Sequence, residues 1–179
     1  AVAASITRAA SLAAHASSST PAKAACLDLA LTSLPRPATE LALGLDRPLY
    51  FSVHSASARL APDGCALVTT ARYLAPDEPA DPTRDRAELE AWLDELQPGW
   101  RERVVARRYL PQLVVSNAIV TTAQGGTAGR PGCRVPGVGG LFVVGDWVGP
   151  EGMLLDAVLA SAEAASQAIL EDERLATVA

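Results

Sequence analysis

The sequence predicts an α/β chain, with a strand–turn–helix unit at its C-terminal end joined to an α+β part that carries a mixed sheet. Three observations predict it. Leu141–Val144 is a short unbroken apolar run between Gly140 and Gly145, and a glycine-punctuated turn and a long helix-forming stretch follow it. Two loosely alternating segments, 49–59 and 65–73, flank Ala61-Pro62-Asp63-Gly64, a turn composition in which proline presets φ and glycine tolerates a left-handed corner. Leu89, Trp92, Leu93 and Leu96 recur at helical spacing after an acidic, proline-rich loop.

Composition sets the outer limits. The 179 residues can bury a real core, and 49% hydrophobic with 20% charged residues is ordinary for a globular protein. A net charge of −5 with scattered arginines offers no basic face for nucleic acid. Cys26, Cys65 and Cys133 are odd in number and lack C-x-x-C spacing, which suggests neither a disulfide framework nor a zinc site and points to a reducing, cytoplasmic setting. His15 and His54 are too few for a histidine metal cluster, and no metal site is expected. Lys23 is the only lysine, so Schiff-base chemistry has one candidate. No apolar run approaches the roughly 20 residues that span a bilayer, and the opening lacks the basic start of a signal peptide. The first residue is Ala1 rather than methionine, which leads us to expect a chain cut from a longer one.

Taken in order, residues 2–16 form an alanine-rich helix candidate ended by Ser17-Ser18-Ser19-Thr20. Thr20-Pro21 reads as the cap and first position of a second helix over 22–33, burying Cys26, Leu27, Ala30 and Leu31 with Asp28 on a solvated face. Pro35 and Pro37 stop it. The hairpin follows. His54 and Ser55 lie on it side by side, but a nucleophilic pair needs an orienting acid and an oxyanion pocket, and neither can be located. His54 reads as a strand residue. Asp81-Pro82, or Asp85 with Glu88, caps the next helix through about Leu96, with Glu88, Glu90, Asp94 and Glu95 on a solvated face. Pro98-Gly99 ends it. Val104–Tyr109 and Leu113–Thr121 look like strands parted at Pro111, and Gln124–Val135 is a glycine-rich loop longer than a simple connector.

The stretch after Gly140 carries the chemistry. Gly145, Gly149 and Gly152 punctuate the turn, Asp146 sits at the strand's end, and Pro150 stands near the first position of a helix from Glu151 to about Leu170. Ala157, Ala160, Ser161, Ala164, Ala165 and Ala168 leave one face of that helix almost without bulk. A strand, a glycine turn and a helix N-terminus together make a cradle for anions and nucleotides. A phosphate loop would need Gly-Lys-Ser/Thr, which is absent, and the glycines are spaced G-x-x-x-G-x-x-G rather than G-x-G-x-x-G. A carboxylate at Asp146 repels phosphate but accepts hydrogen bonds from hydroxyls. A polyhydroxyl chain with an electron-rich ring beyond it suits the site.

Gly-Leu-Phe-Val-Val-Gly-Asp-Trp-Val-Gly-Pro-Glu-Gly-Met over 140–153 resembles the C-terminal flavin-binding segment of FAD-dependent oxidoreductases of the phytoene desaturase and flavin amine oxidase family. Ala-Ala-Cys-Leu-Asp-Leu-Ala-Leu over 24–31 is also similar to a segment of that family. The resemblance implies a cofactor, FAD. The acid, Asp146 after Gly145, would bind its ribityl–pyrophosphate part, and the amides of Gly152, Met153 and Leu154 would approach the flavin N1/O2 edge. There the helix dipole would favour the anionic reduced flavin. This chain has Ser161-Ala162 where many members have Ser-Gly. The glycine-rich loop would lead back from the substrate domain to the flavin, bringing Arg130 toward it.

The fold so implied is the C-terminal portion of an FAD/NAD(P)-binding Rossmann-like domain with a mixed-sheet substrate domain. Residues 1–135 would belong to the substrate part, 136–171 would supply the last strand and helix of the FAD domain, and 172–179 would be a fraying tail. The implied activity is two-electron oxidation of a C–H bond with hydride transfer to flavin, on a small apolar or amine-bearing substrate. No catalytic residue can be named. The missing N-terminal FAD-binding half would be the partner of an isolated piece. A second reading is a non-catalytic module or subunit that needs a separate Rossmann-bearing chain to bind FAD.

Overall fold

The computed structural model describes residues 9–79 and 81–178. The chain forms two compact units, one of Ala22–Val115 and the other of the segments up to Pro21 and from Ser116 onward. The boundary expected at 135/136 falls inside the second of these.

The Ala22–Val115 unit is α+β. Its five-stranded sheet has the order β2-β3-β4-β1-β5, with β1 at Ala22–Leu31, β2 at Leu41–Leu43, β3 at Leu49–Val53, β4 at Ala66–Leu74 and β5 at Val104–Ser116. The second helix expected over 22–33 is therefore a strand, and a central one. β1 pairs antiparallel with β4 from Lys23↔Leu74 to Leu31↔Ala66. Alanine and leucine are good helix formers, but propensity differences are below about 1 kcal/mol per residue, and ladder pairing and burial override them. The period of two is present: Ala25, Leu27, Leu29 and Leu31 enter the main core, whereas Ala24 and Cys26 pack on the opposite face with Ala71. Asp28 is no solvated helix residue either. It lies opposite Thr69, whose Oγ1 donates to its carboxylate at 2.8 Å.

The expected hairpin forms, with Leu49↔Arg72 and Val53↔Val68 in register. Its connection holds a four-residue helix, His54–Ser57, where the strand was expected to continue, and Gly64 takes the left-handed corner at φ +82°. β5 runs straight through Pro111 as one 13-residue strand. It lies at an edge of the sheet, so the N–H that proline lacks need not cost a ladder bond.

The long helix of this unit, Pro82–Leu96, starts as expected: Asp81 accepts a hydrogen bond from the Arg84 amide at 3.0 Å, and Pro82 occupies the first turn. Leu89, Trp92 and Leu93 pack on the Leu27–Leu29–Leu31 face with Phe51 and Trp100, each large apolar side chain stabilising the fold by roughly 1.5–3 kcal/mol. Its acidic face is not simply solvated. Glu88 meets Arg72, Glu90 meets Arg86 and Arg101, and Glu95 meets Arg47. Buried Gln97 closes the far end, accepting from the Arg36 amide at 2.8 Å and donating to Arg36 and Thr39 carbonyls.

The other unit holds α1, Ala10–Ser18, and a C-terminal helix, here α4, Leu155–Val178, counting the helices at 54–57 and 82–96 as α2 and α3. Part of the first expected helix, 2–8, lies outside the described residues. Ala9, Leu12 and Val135 form a small core with Val138, Leu141, Val143 and Trp147 around it. Among the described residues no helix is long and apolar enough to cross a membrane.

Candidate functional site

The expected buried strand at Leu141–Val144 is reduced to an isolated antiparallel bridge between Arg134 and Phe142. The Val143 amide donates to the Cys133 carbonyl at 2.8 Å and the Val135 amide to Leu141 at 3.1 Å. The run thus folds back on 133–135, and Val144 is exposed. An apolar run becomes a buried strand only where neighbouring strands complete its ladder.

The following residues are tightly specified. The Gly145 amide donates to Ser161 Oγ of α4 at 3.0 Å. A Cβ at Gly145 would stand 2.8 Å from Trp147 Nε1, so the position has no room for a side chain. Trp147 in turn stacks on His15 of α1, with ring centroids 4.8 Å apart. Burial pulls the His15 pKa below its ordinary value. Of the small face expected on the last helix, Ala157, Ser161, Ala165 and Ala168 are buried, but Ala160 and Ala164 are not.

Asp146 is half-buried. Its Oδ2 accepts from Ser116 Oγ at 2.8 Å and from the Asn117 amide at 3.3 Å, and its Oδ1 accepts from Asn117 Nδ2 at 3.2 Å. Burial pushes the carboxyl up, but the hydrogen bonds from Ser116 and Asn117 outweigh it and hold the pKa below the ordinary value. An ionised carboxylate offers about four acceptor positions, and the Ser116 hydroxyl, both Asn117 donors and the Asp146 amide itself all contribute to satisfying it. Ser116 and Asn117 carried no motif in the sequence. Only the fold brings them 30 and 29 residues back to Asp146.

The turn itself differs from expectation. The helix starts at Leu155, not Glu151, and Pro150 lies outside it. Gly152 at φ +68° and Leu154 at φ +50° interrupt the helical path. Leu154 is the non-glycine residue with positive φ among the described residues, a conformation that strains an L side chain and recurs at functional turns. The backbone N–H groups of Gly152, Met153 and Leu154 donate to no group among the described residues. Met153 and Leu154 expose about half of their surface, 53% each. Residues 152–154 therefore present a short row of free donors just before the N-terminus of a long helix, where the dipole is positive.

Arg130, from the glycine-rich loop, supports this turn: its Nη1 donates to the Gly152 carbonyl at 2.9 Å, and Nη2 lies 3.1 Å from Met153 Sδ. Of the His54–Ser55 pair, the serine is engaged by the sheet: Ser55 Oγ accepts from the Leu67 amide at 3.0 Å.

No protein-family profile matches the chain, and no curated protein sequence does. Its fold is similar to the crystal structure of an oxidoreductase from Methanosarcina mazei, with a TM-score of 0.58 and 21% sequence identity. The match covers 84% of this chain and 35% of that one, so this chain spans about a third of that protein's length. The likeness is one of fold.

Proposed function

We propose that the chain is the C-terminal part of an FAD-dependent oxidoreductase of the desaturase and amine oxidase type, with Gly145–Leu154 as its flavin-facing segment. The observation that carries this reading is the row of unpartnered amides at Gly152, Met153 and Leu154, held in place by left-handed residues ahead of α4. Free donors at a helix start suit an electron-rich ring edge that gains negative charge. Asp146 supports the same reading, because its hydrogen bonds favour the ionised form, an acceptor suited to hydroxyls. The similarity in fold to a protein described as an oxidoreductase agrees with the class.

Bound FAD would supply the two-electron acceptor for oxidation of a substrate C–H bond. The chain's own contribution is to orient and to stabilise charge. Asp146 accepts from the polyol chain, Gly145 before it makes room for the Trp147 ring, and exposed Met153, Leu154, Leu155 and Leu159 offer an apolar surface beside the amides. That surface suits a small apolar or amine-bearing substrate.

The test is the visible spectrum of the purified chain, alone, with added FAD, and joined to the coding region upstream of Ala1. We expect the isolated chain to be colourless and the extended protein to show flavin bands near about 370 and 450 nm. Asp146→Asn in the extended protein lowers FAD retention about tenfold, the loss of one charge-assisted hydrogen bond. A colourless extended protein would overturn the flavin reading in favour of the non-catalytic module.

A further inference from the structure

We propose that Arg130 is a positioning residue for the turn amides, fixing their direction and placing an unneutralised positive charge behind them. This rests on the flavin reading above. The guanidinium reaches the turn at three points: Nη1 donates to Gly152 O at 2.9 Å and to Gly149 O at 3.5 Å, and Nη2 faces Met153 Sδ at 3.1 Å. The next residue joins in, because the Pro131 carbonyl accepts from the Gly149 amide at 2.9 Å. Arg130 itself is anchored by its own amide to Thr127 O at 3.2 Å, in the 3-10 turn Gly126–Gly129. Two consecutive residues of the loop therefore brace the turn.

Peptide planarity turns this brace into a directional device. In a trans peptide the C=O and the following N–H point to opposite sides of one plane. Arg130 holds the Gly152 carbonyl, so the Met153 N–H in the same peptide points away from the guanidinium. That N–H therefore faces outward with the cation behind it.

The charge is the second half of the argument. A partly buried guanidinium ordinarily has a carboxylate partner, since desolvating a cation is costly. Arg130 has none within ion-pair distance among the described residues. Its partners are two neutral carbonyls and a thioether, and its buried Nε has no partner at all. Its positive potential adds to that of the helix N-terminus and works against the carboxylate of Asp156 in the helix's first turn, so that negative charge on whatever the amides face is favoured. For a bound flavin the prediction is specific: Arg130 stabilises the reduced, anionic form over the oxidised one.

The experiment compares the flavin-loaded extended protein with its Arg130→Met and Arg130→Lys variants, measuring flavin midpoint potential, and records amide NMR spectra of the 179-residue chain. In Arg130→Met the amide signals of Gly152, Met153 and Leu154 move, and the preference for reduced over oxidised flavin falls about tenfold, a potential about 30 mV more negative. Arg130→Lys keeps the charge and recovers most of that potential, while the turn amides stay displaced because lysine lacks the planar fork. It also serves if Arg130→Met fails to fold. An unchanged potential in Arg130→Met with flavin bound would overturn the inference and leave the flavin reading intact. A wild-type protein that takes up no flavin would overturn both, and is recognised by its lack of colour before any variant is compared.

Discussion

Ser161 Oγ accepts the Gly145 amide at 3.0 Å and stands 3.2 Å from the Gly145 carbonyl and 2.9 Å from that of Val158. One buried hydroxyl of α4 thus accepts from the glycine that precedes Asp146, while its single hydrogen is shared between the Val158 and Gly145 carbonyls. This contact, rather than a strand ladder, holds the acidic residue's neighbour against the helix.

Removing that hydroxyl should therefore be costly. Ser161→Ala leaves the Gly145 amide without an acceptor and lowers stability by about 1–3 kcal/mol. Gly145→Ala forces a methyl toward the Trp147 ring and costs a similar amount through overpacking. Urea denaturation followed by tryptophan fluorescence measures both. A loss below about 0.5 kcal/mol in either, the level of ordinary surface substitutions, would refute the tight approach.

Asp146 should make stability depend on acid. Its folded pKa lies below the unfolded one, so between the two the unfolded chain binds more protons and stability rises with pH. The contribution is complete above the unfolded value of about 3.9 and disappears as pH falls through the folded value. Wild type should exceed Asp146→Asn in urea midpoint at neutral pH, and the gap should narrow on acidification below about pH 4. A gap that stays constant with pH would show that the hydrogen bonds from Ser116 and Asn117 do not favour the ionised form.

Leu154 should prefer not to be leucine. At φ +50° with more than half of its surface exposed, it carries backbone strain with little burial to offset it. Leu154→Gly is expected to stabilise the chain by about 0.5–1 kcal/mol, the left-handed penalty less the entropy of an added glycine. Thermal melting decides. Destabilisation would mean that the side chain is packed in a way the turn geometry does not show.

In the sheet unit, Asp85 is 1% exposed and is paired with Arg72 at 3.4 Å and Arg84 at 2.8 Å. Arg72 also meets Glu78 and Glu88. Arg72→Met strips the buried carboxylate of one cation and should cost about 3–5 kcal/mol, read as a shifted denaturation midpoint. Additional replacement of Asp85 by Asn should recover part of it. No recovery in the double variant would place the loss elsewhere in the cluster.

The thiols should separate cleanly. Cys26 is 4% exposed, and burial, with Asp28 nearby, pushes its thiol up to about 11. Cys65 and Cys133 are half-exposed. Under native conditions at neutral pH a thiol reagent should label those two and reach Cys26 only on unfolding. Fast native labelling of all three would contradict the packing of β1.

Local chemistry was legible where it acts over a few residues. Asp81-Pro82 starts a helix because the cap and the proline need only the next turn, and the Pro62–Gly64 corner joins the hairpin for the same reason. The small-residue helix after Met153 was legible too, although left-handed Leu154 delays its start to Leu155. The strand–helix mistake at 22–33 has a different origin. Alanine and leucine fit either state, and the Leu27–Leu29–Leu31 alternation becomes decisive only when β4 and β5 lie on either side of β1.

Asp146 and the glycines around it could be picked out in the sequence because their chemistry is carried by residue type: an acid that accepts, glycines that turn, a run that makes a helix. The tertiary structure alone decided what those residues meet. It brought Ser116 and Asn117 to the carboxylate, Ser161 to Gly145 and Arg130 to the Gly152 carbonyl. Such partners are short-range in space but distant along the chain. Nothing in residue type or local period encodes which distant donor a folded backbone will bring within 3 Å of a given acceptor, because hydrogen bonding depends on separation in space.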